Sequence, residues 1–79
     1  MRKVEIYTKN WCGYCRAAKH LLEKLGLEYQ EIDVTYDQER YGEMLKRAEG
    51  RSTVPQIFVD DEGIGGYTDL YGKVQRSEF

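Results

Sequence analysis

Two cysteines three residues apart, Cys12 and Cys15, constrain this chain of 79 residues more than any other feature. They stand between a short apolar strand pattern over residues 3–8 and the helical pattern that follows it. Residues three apart on a helix share a face, so the two sulfurs can close into a disulfide without unwinding the chain. The helix N-terminus also favours a thiolate at Cys12, because backbone N–H groups lack partners there. The pair therefore predicts redox chemistry.

A Cys-x-x-Cys pair is equally half of a zinc or iron–sulfur site. The chain has only two cysteines and one histidine, which is too few for four sulfur ligands, and a Cys2His site would stay open. His20 lies off the apolar face of its predicted helix, and we expect it on the solvated surface. We therefore expect no metal site from this chain alone.

Net charge and hydropathy limit the classes of partner and the cellular locations that we expect for this chain. The net charge of −2 argues against nucleic acid, and no apolar run reaches the length of a membrane span. Residues 1–6 enter a strand without the apolar stretch of a signal peptide. We expect a cytoplasmic protein, because in a reducing compartment such a cysteine pair cycles instead of staying closed. We also expect it to be a monomer. An organelle form whose targeting segment has been trimmed stays an open alternative.

The hydrophobic pattern predicts the element order β-α-β-α-β-β-α. Strands are predicted over about residues 3–8, 27–34 and 57–59, with a turn over 60–63 and a short fourth strand at Ile64. Each predicted helix carries core residues at i, i+3, i+4 and i+7: Ala18, Leu21, Leu22 and Leu25; Tyr41, Met44, Leu45 and Ala48; Tyr67, Leu70, Tyr71 and Val74. Thr35 is expected to open the second helix, and Thr68 or Asp69 the third.

This order predicts an α/β fold. A helix between the first two strands implies a right-handed parallel crossover, and the short link between the last two strands implies an antiparallel hairpin. We expect a four-stranded mixed sheet with helices on both faces, formed as a single domain by residues 1–79.

Three separated motifs resemble the glutaredoxins, which have a thioredoxin-like fold. They are Tyr7-Thr8-Lys9 leading to Cys12-Gly13-Tyr14-Cys15, Thr53-Val54-Pro55-Gln56-Ile57-Phe58-Val59, and Gly65-Gly66-Tyr67-Thr68-Asp69-Leu70. The resemblance implies a glutathione-dependent thiol–disulfide oxidoreductase. In it, the Cys12 thiolate attacks protein disulfides or glutathione mixed disulfides, Cys15 resolves protein disulfides, and glutathione resolves the glutathionylated enzyme. Its partners would be glutathione and disulfide-bonded or glutathionylated proteins.

The resemblance also implies where glutathione binds. The residues expected to hold it are Lys9, Cys12, Tyr14, Thr53, Val54, Pro55, Gly66, Tyr67, Thr68 and Asp69. A cis Val54–Pro55 bond is expected to face the cysteines. The helix start after Gly66 would bind the α-carboxylate and Asp69 the α-ammonium of the γ-glutamyl end, although Asp69 could instead be simply a helix cap.

The other end of glutathione needs a cation for its glycyl carboxylate. Lys9 is expected to supply it, with Arg40 as a second candidate. Tyr14 is expected to line the groove, and Trp11 to form a partly exposed flank.

Two alternative functions follow from the motifs. Gly13 stands where glutaredoxins most often have proline, and such a change is associated in that family with a [2Fe–2S] cluster held between two subunits by the first cysteine and glutathione. In this chain Cys12 would be that ligand. Separately, Trp11-Cys12-Gly13 echoes thioredoxin, an electron donor reduced by a flavoprotein reductase; Lys9 and the 65–69 motif argue against that reading.

Overall fold

Four strands and three helices follow one another along residues 2–79, the part of the chain that the computed structural model describes. Met1, which the expected domain includes, lies outside the described residues. The elements are β1 (Val4–Thr8), α1 (Gly13–Lys24), β2 (Gln30–Asp33), α2 (Gln38–Arg47), β3 (Gln56–Val59), β4 (Glu62–Gly65) and α3 (Tyr67–Gln75). Their order is the predicted one. None of the helices within residues 2–79 has the length and apolar content needed to cross a lipid bilayer.

The strands form one mixed sheet in the order β2-β1-β3-β4. Strand β1 pairs in parallel with β2, with Glu5 opposite Gln30, and antiparallel with β3, with Ile6 opposite Ile57. Strands β3 and β4 form an antiparallel hairpin, whose register shifts between Ile57 and Phe58. The predicted parallel crossover and antiparallel hairpin are both confirmed, and the fold is thioredoxin-like.

Two hydrophobic clusters lie on opposite faces of the sheet, because successive strand residues point to opposite sides. The cluster against α1 and α3 contains Val4, Ile6, Ala18, Leu22, Ile57 and Leu70. The cluster against α2 contains Tyr7, Ile32, Val34, Met44, Ala48 and Phe58. The helices therefore cover both faces, as predicted.

Arg47, the last residue of α2, packs against the sheet and forms hydrogen bonds with it. Its guanidinium lies 4.1 Å from the centroid of the Phe58 ring and donates to Tyr7 Oη and Glu5 Oε1, each at 2.9 Å. Burial lowers the pKa of Arg47, but the hydrogen bonds to Glu5 and Tyr7 outweigh it and raise the pKa overall. Arg47 is therefore a charged group packed between an aromatic ring and a half-buried carboxylate.

The prediction that Thr35 opens α2 is wrong. The N-cap is Asp37, whose Oδ1 accepts from the backbone N–H of Arg40 at 3.0 Å. The Thr35 hydroxyl instead accepts from the Asn10 backbone N–H at 2.7 Å and donates to Asp33 Oδ1 at 2.6 Å. Thr35 thus ties the end of β2 to the loop that leads into α1.

The second strand is shorter than predicted. Strand β2 begins at Gln30, whereas the apolar pattern placed its start at Leu27. Leu27 and Tyr29 pack against the core from the loop that follows Gly26, where φ is +73°. Core contacts made from a loop therefore produced a strand-like pattern.

Three smaller predictions were also wrong. Strand β4 begins at Glu62, because the turn uses only Asp60 and Asp61, with φ of +50° and +70°. Leu25 and Tyr71 were expected in the core, yet they are 40% and 46% exposed. Leu25 is the C-cap residue of α1, where the helix leaves the sheet.

Candidate active site

The two cysteines occupy one turn at the start of α1. Cys12 is the N-cap residue and is partly exposed, whereas Cys15 is buried with 2% of its surface accessible. The backbone N–H of Cys15 donates to Cys12 Sγ at 3.2 Å. Both thiols are free. Cys12 is therefore the sulfur that a substrate can reach, and Cys15 stands behind it.

Cys15 is held in its protonated form. Burial raises the pKa of the Cys15 thiol to about 12, and its hydrogen bond with Cys12 raises the pKa further than a backbone N–H from Lys9 lowers it. At neutral pH Cys15 is a thiol. The pair thus has one accessible sulfur and one protonated sulfur in reserve.

The segment before β3 faces the first cysteine. The Val54–Pro55 peptide bond is cis, as expected, and Pro55 is buried. The Cys12 Sγ lies 3.7 Å from the backbone oxygen of Val54. Cys12 Sγ therefore lies beside the backbone of this segment.

A cleft of about 350 Å³ opens beside the cysteines. Its walls come from the start of α1, the segment before β3 and the start of α3: Tyr14, Arg51, Thr53, Val54, Pro55, Gly66, Tyr67, Thr68 and Asp69. Apart from Cys12, Lys9 and the second candidate Arg40, every residue expected to bind the ligand lines this cleft. Cys12 lies at its edge through the contact with Val54.

Helix α3 begins earlier than Thr68 or Asp69, the two predicted starting residues. Gly66 is the N-cap residue and Tyr67 the first residue of the helix. Asp69 nevertheless contributes to the cap, because its Oδ2 accepts from the Gly66 backbone N–H at 2.9 Å. Asp69 is thus both a capping group and part of the cleft wall.

The two glycines before α3 lie where other atoms pack closely, and Gly65 is the more constrained of the two. Gly65 has a φ of +104°, and a Cβ atom there would collide with the Asp69 carboxylate, at 2.7 Å from its Cγ. A Cβ atom at Gly66 would come within 3.3 Å of the Pro55 backbone oxygen. A side chain at Gly65 would displace the Asp69 carboxylate, and one at Gly66 would press against the backbone before β3.

Arg51 is a cleft residue that the sequence analysis missed. Its Nη2 lies 3.7 Å from Asp69 Oδ2, and the two side chains are 55% and 49% exposed. The signal that could have found it is a cation placed between a helix stop at Gly50 and the Thr53-Val54-Pro55 run. The cleft therefore carries a positive group beside a negative one.

Lys9 does not line the cleft, contrary to expectation. Its Nζ lies 4.6 Å from the centroid of the Tyr41 ring, whose hydroxyl donates to the Ser52 backbone oxygen at 3.4 Å. Arg40, the second candidate, pairs through Nη1 with Glu43 Oε2 at 3.2 Å. Both cations expected for the glycyl carboxylate therefore contact other groups.

Tyrosines extend the wall of the cleft beyond Tyr14. The ring centroids of Tyr14 and Tyr67 lie 6.0 Å apart, as do those of Tyr67 and Tyr71.

Trp11 is 95% exposed with a φ of +60°, so it is more exposed than the partly exposed flank that we expected. His20 is on the surface, as expected.

No set of three or more His, Cys, Asp and Glu side chains within the described residues is arranged to hold a metal ion.

The space around Gly13, next to Cys12, is largely empty. The nearest atom to a Cβ placed on Gly13 would be Arg16 Nη2, at 4.0 Å. The surface beside the accessible sulfur is therefore open.

Comparison with known proteins gives a consistent result. Residues 4–64 match the family model described as glutaredoxin. The chain is 51% identical over 71 residues to glutaredoxin 3 of Escherichia coli (strain K12), covering 90% of this chain and 84% of the relative. It is 43% identical over 72 residues to glutaredoxin 1 of Rickettsia prowazekii (strain Madrid E), covering 90% and 76%.

Solved structures with the same architecture are also glutaredoxins. The structure of glutaredoxin 1 from Francisella tularensis, complexed with cacodylate, superposes with a TM-score of 0.81 at 38% identity, covering 98% of this chain and 96% of that one. The buckwheat glutaredoxin–glutathione complex gives a TM-score of 0.82 at 30% identity, covering 98% and 72%.

Proposed function

Because the chain belongs to the glutaredoxin family of thiol–disulfide oxidoreductases, we propose that it takes electrons from glutathione to reduce protein disulfides and glutathione mixed disulfides. The observation that carries this proposal is the cleft beside Cys12, whose walls include the Asp69 carboxylate and the N-terminus of α3. A free amino-acid end, with its ammonium and carboxylate, complements these groups. The glutathione complex of the buckwheat relative supports the choice of ligand.

On a glutathione mixed disulfide, the reaction needs only Cys12. Its sulfur attacks the glutathionyl sulfur, the substrate's sulfur–sulfur bond breaks, and the substrate thiol leaves with a proton. A disulfide between Cys12 and glutathione forms. The thiolate of a second glutathione then attacks the glutathione sulfur of this intermediate, which releases oxidised glutathione and restores Cys12.

A protein disulfide requires the second cysteine. Attack by Cys12 breaks the substrate disulfide and joins Cys12 to one of the substrate's sulfurs. Cys15 then attacks Cys12 Sγ, which releases the reduced substrate and forms the Cys12–Cys15 disulfide. Burial raises the Cys15 pKa most, but its hydrogen bond and charge interaction with Cys12 raise it as well. Once Cys12 is in a disulfide, that part of the increase disappears. Cys15 therefore becomes easier to deprotonate at the step that needs it.

We place glutathione along the cleft from Asp69 to Cys12. The α-ammonium pairs with Asp69, and the α-carboxylate faces the N–H groups at the start of α3, at Tyr67 and Thr68. The cysteinyl backbone runs along Thr53 and Val54, so that its sulfur meets Cys12. The side chain of Lys9 is long and exposed. It moves away from the Tyr41 ring and binds the glycyl carboxylate.

A coupled assay tests this proposal. Turnover of the mixed disulfide between glutathione and 2-mercaptoethanol is followed by NADPH oxidation, either with glutathione and glutathione reductase or with thioredoxin reductase alone. The expected result is turnover with the glutathione system, which saturates in the mixed disulfide. Turnover only with thioredoxin reductase would replace glutathione with a flavoprotein reductase as the electron source.

The open surface at Gly13 favours a second candidate function, the binding of a [2Fe–2S] cluster. Such a cluster needs four sulfur ligands, and Cys12 is the accessible thiol within residues 2–79. Cys12 from each of two copies, together with two glutathione thiolates, would complete the set. The bound cluster would supply one-electron redox or transferable iron and sulfide. This candidate is tested by the ultraviolet–visible spectrum of protein purified without oxygen.

A further inference from the structure

We propose that Arg51 determines the ligand specificity of the cleft, by binding the α-carboxylate at the γ-glutamyl end of glutathione while Asp69 binds the α-ammonium. This inference rests on the proposed use of glutathione and adds a second charged group to its recognition.

The guanidinium of Arg51 lies over the turn that leads into α3. Its Nη2 lies 3.7 Å from Asp69 Oδ2, and its Nη1 lies 3.1 Å from the position that a Cβ atom on Gly65 would take. Both charged side chains line the cleft. The ammonium and carboxylate of an amino-acid end share one carbon atom. A cation and an anion held this close together therefore match them.

The Arg51–Asp69 contact is poorly suited to a purely structural role. At 3.7 Å it is longer than a charge-assisted hydrogen bond of about 2.7–2.9 Å, and both side chains are about half exposed. Such exposed pairs add little to stability. Arg47, by contrast, donates at 2.9 Å to a carboxylate that is 13% exposed. The Arg51 fork thus keeps donors available for a ligand.

The charge of Arg51 also explains what the cleft would reject. Asp69 alone would attract any amine, including one that carries no carboxylate. The neighbouring guanidinium repels such an amine, and this repulsion is offset when the ligand brings a carboxylate of its own. Together with the N–H groups at the start of α3, Arg51 makes the cleft selective for a complete amino-acid end.

The test compares kcat/KM for three mixed disulfides of 2-mercaptoethanol. One contains glutathione. The second contains an analogue with 4-aminobutyryl in place of γ-glutamyl, which lacks the α-carboxylate. The third contains a glutaryl analogue, which lacks the α-ammonium. The parent protein is expected to prefer glutathione over both analogues.

The variants should divide this preference between the two side chains. Arg51→Gln should reduce the preference over the 4-aminobutyryl analogue at least about fivefold, equivalent to about 1 kcal/mol, and keep the preference over the glutaryl analogue. Asp69→Asn should do the reverse. Arg51→Lys, which keeps the charge, should restore part of the first preference. Arg76→Gln makes the same charge change at an arginine that is 59% exposed and paired with Glu78, and it should change neither.

Each other outcome has a clear meaning. If Arg51→Gln leaves the preference unchanged, or lowers kcat/KM equally for all three substrates, Arg51 has no role in specificity. If Arg51→Gln does not fold, as judged by its thermal transition, the comparison of Arg51→Lys and Arg51→Met decides in the same way. A parent protein without glutathione-dependent turnover would reject the proposed function, and this inference with it. A parent that prefers glutathione, combined with an unaffected Arg51→Gln, would reject this inference alone.

Discussion

The backbone N–H of Cys15 donates a hydrogen bond to the Sγ of Cys12 across 3.2 Å. One turn of α1 therefore directs a donor at the accessible sulfur and buries the second thiol behind it. The two cysteines share a helix face but not an environment. The difference in exposure, together with the raised pKa of Cys15, predicts a division of labour between them.

The first prediction concerns that division. Cys12→Ser should abolish all reductase activity. Cys15→Ser should retain deglutathionylation, which needs only Cys12 and free glutathione, and should lose most of the reduction of protein disulfides. The measurement uses one glutathionylated protein and one protein with an internal disulfide. If Cys15→Ser loses deglutathionylation as completely as Cys12→Ser does, the two roles have been assigned wrongly.

The second prediction concerns the protonation of Cys15. Because burial is the largest cause of the raised pKa of Cys15 and remains when Cys12 is replaced, the Cys12→Ser variant should react slowly with iodoacetamide at pH 7. Its rate should keep rising as the pH increases beyond 9, the ordinary value for a thiol. The Cys15→Ser variant, with the accessible sulfur, is the comparison. Rapid alkylation of Cys15 at neutral pH would contradict the assignment.

The third prediction concerns Lys9 and the ring that it contacts. Lys9→Met should lower kcat/KM for the glutathione mixed disulfide by about three- to fivefold, the range of an exposed ion pair. It should not affect the mixed disulfide of the C-terminal amide of glutathione, in which a neutral amide replaces the glycyl carboxylate. Lys24→Met, at the last residue of α1, is the control. Equal losses on the two substrates would remove Lys9 from the recognition of that carboxylate.

The same measurement gives Tyr41 a distinct expectation. If the ring holds Lys9 near the segment before β3, Tyr41→Leu should produce part of the Lys9→Met effect, and Tyr41→Leu combined with Lys9→Met should add little more. Fully additive losses would mean that the two side chains act independently.

The fourth prediction concerns Gly13. Reconstitution with iron, sulfide and glutathione should give a coloured dimer if the protein binds a cluster, and Gly13→Pro should suppress the colour. Proline is well tolerated at this position, because Gly13 is the first residue of α1. Cys12→Ser should also be colourless, since it removes the protein ligand. A colourless monomer from the parent protein would leave only the reductase function.

The fifth prediction concerns stability. Arg47→Ala should lower the free energy of unfolding by about 2–3 kcal/mol, because it leaves the half-buried Glu5 carboxylate without its closest cation and removes the group packed on Phe58. Lys46→Ala, at the exposed neighbouring position, should change it by less than about 0.5 kcal/mol. Urea unfolding measures both. Equal effects would show that the α2 contacts do not depend on Arg47.

The sequence was sufficient to predict the order of the elements, the mixed sheet and most of the cleft. These features depend on short-range signals: the period of the apolar residues, the glycines at turns, and the Cys-x-x-Cys, Thr53–Pro55 and Gly65–Asp69 motifs. Each motif ends or begins an element, so the topology brings all of them to one edge of the sheet.

The errors came from competition between local and distant partners. Thr35 has the spacing of a helix cap, but Asn10, 25 residues earlier, donates to its hydroxyl, and the cap passes to Asp37. Lys9 was assigned from its charge and its place before the cysteines, and its role stays a prediction; the ring that it contacts lies in α2, far away in sequence. Arg51 precedes the Thr53-Val54-Pro55 run, but only folding brings it to Asp69.

The shared position of Asp69 has a consequence for comparing related chains. Because its carboxylate caps α3 through Gly66, selection for a stable helix would keep an aspartate there even in a relative that had stopped binding any ligand. An aspartate at this place is therefore ambiguous as a marker of function. A basic side chain opposite it, where Arg51 stands, contributes little to folding. Its retention or loss across relatives would record whether the cleft is still used.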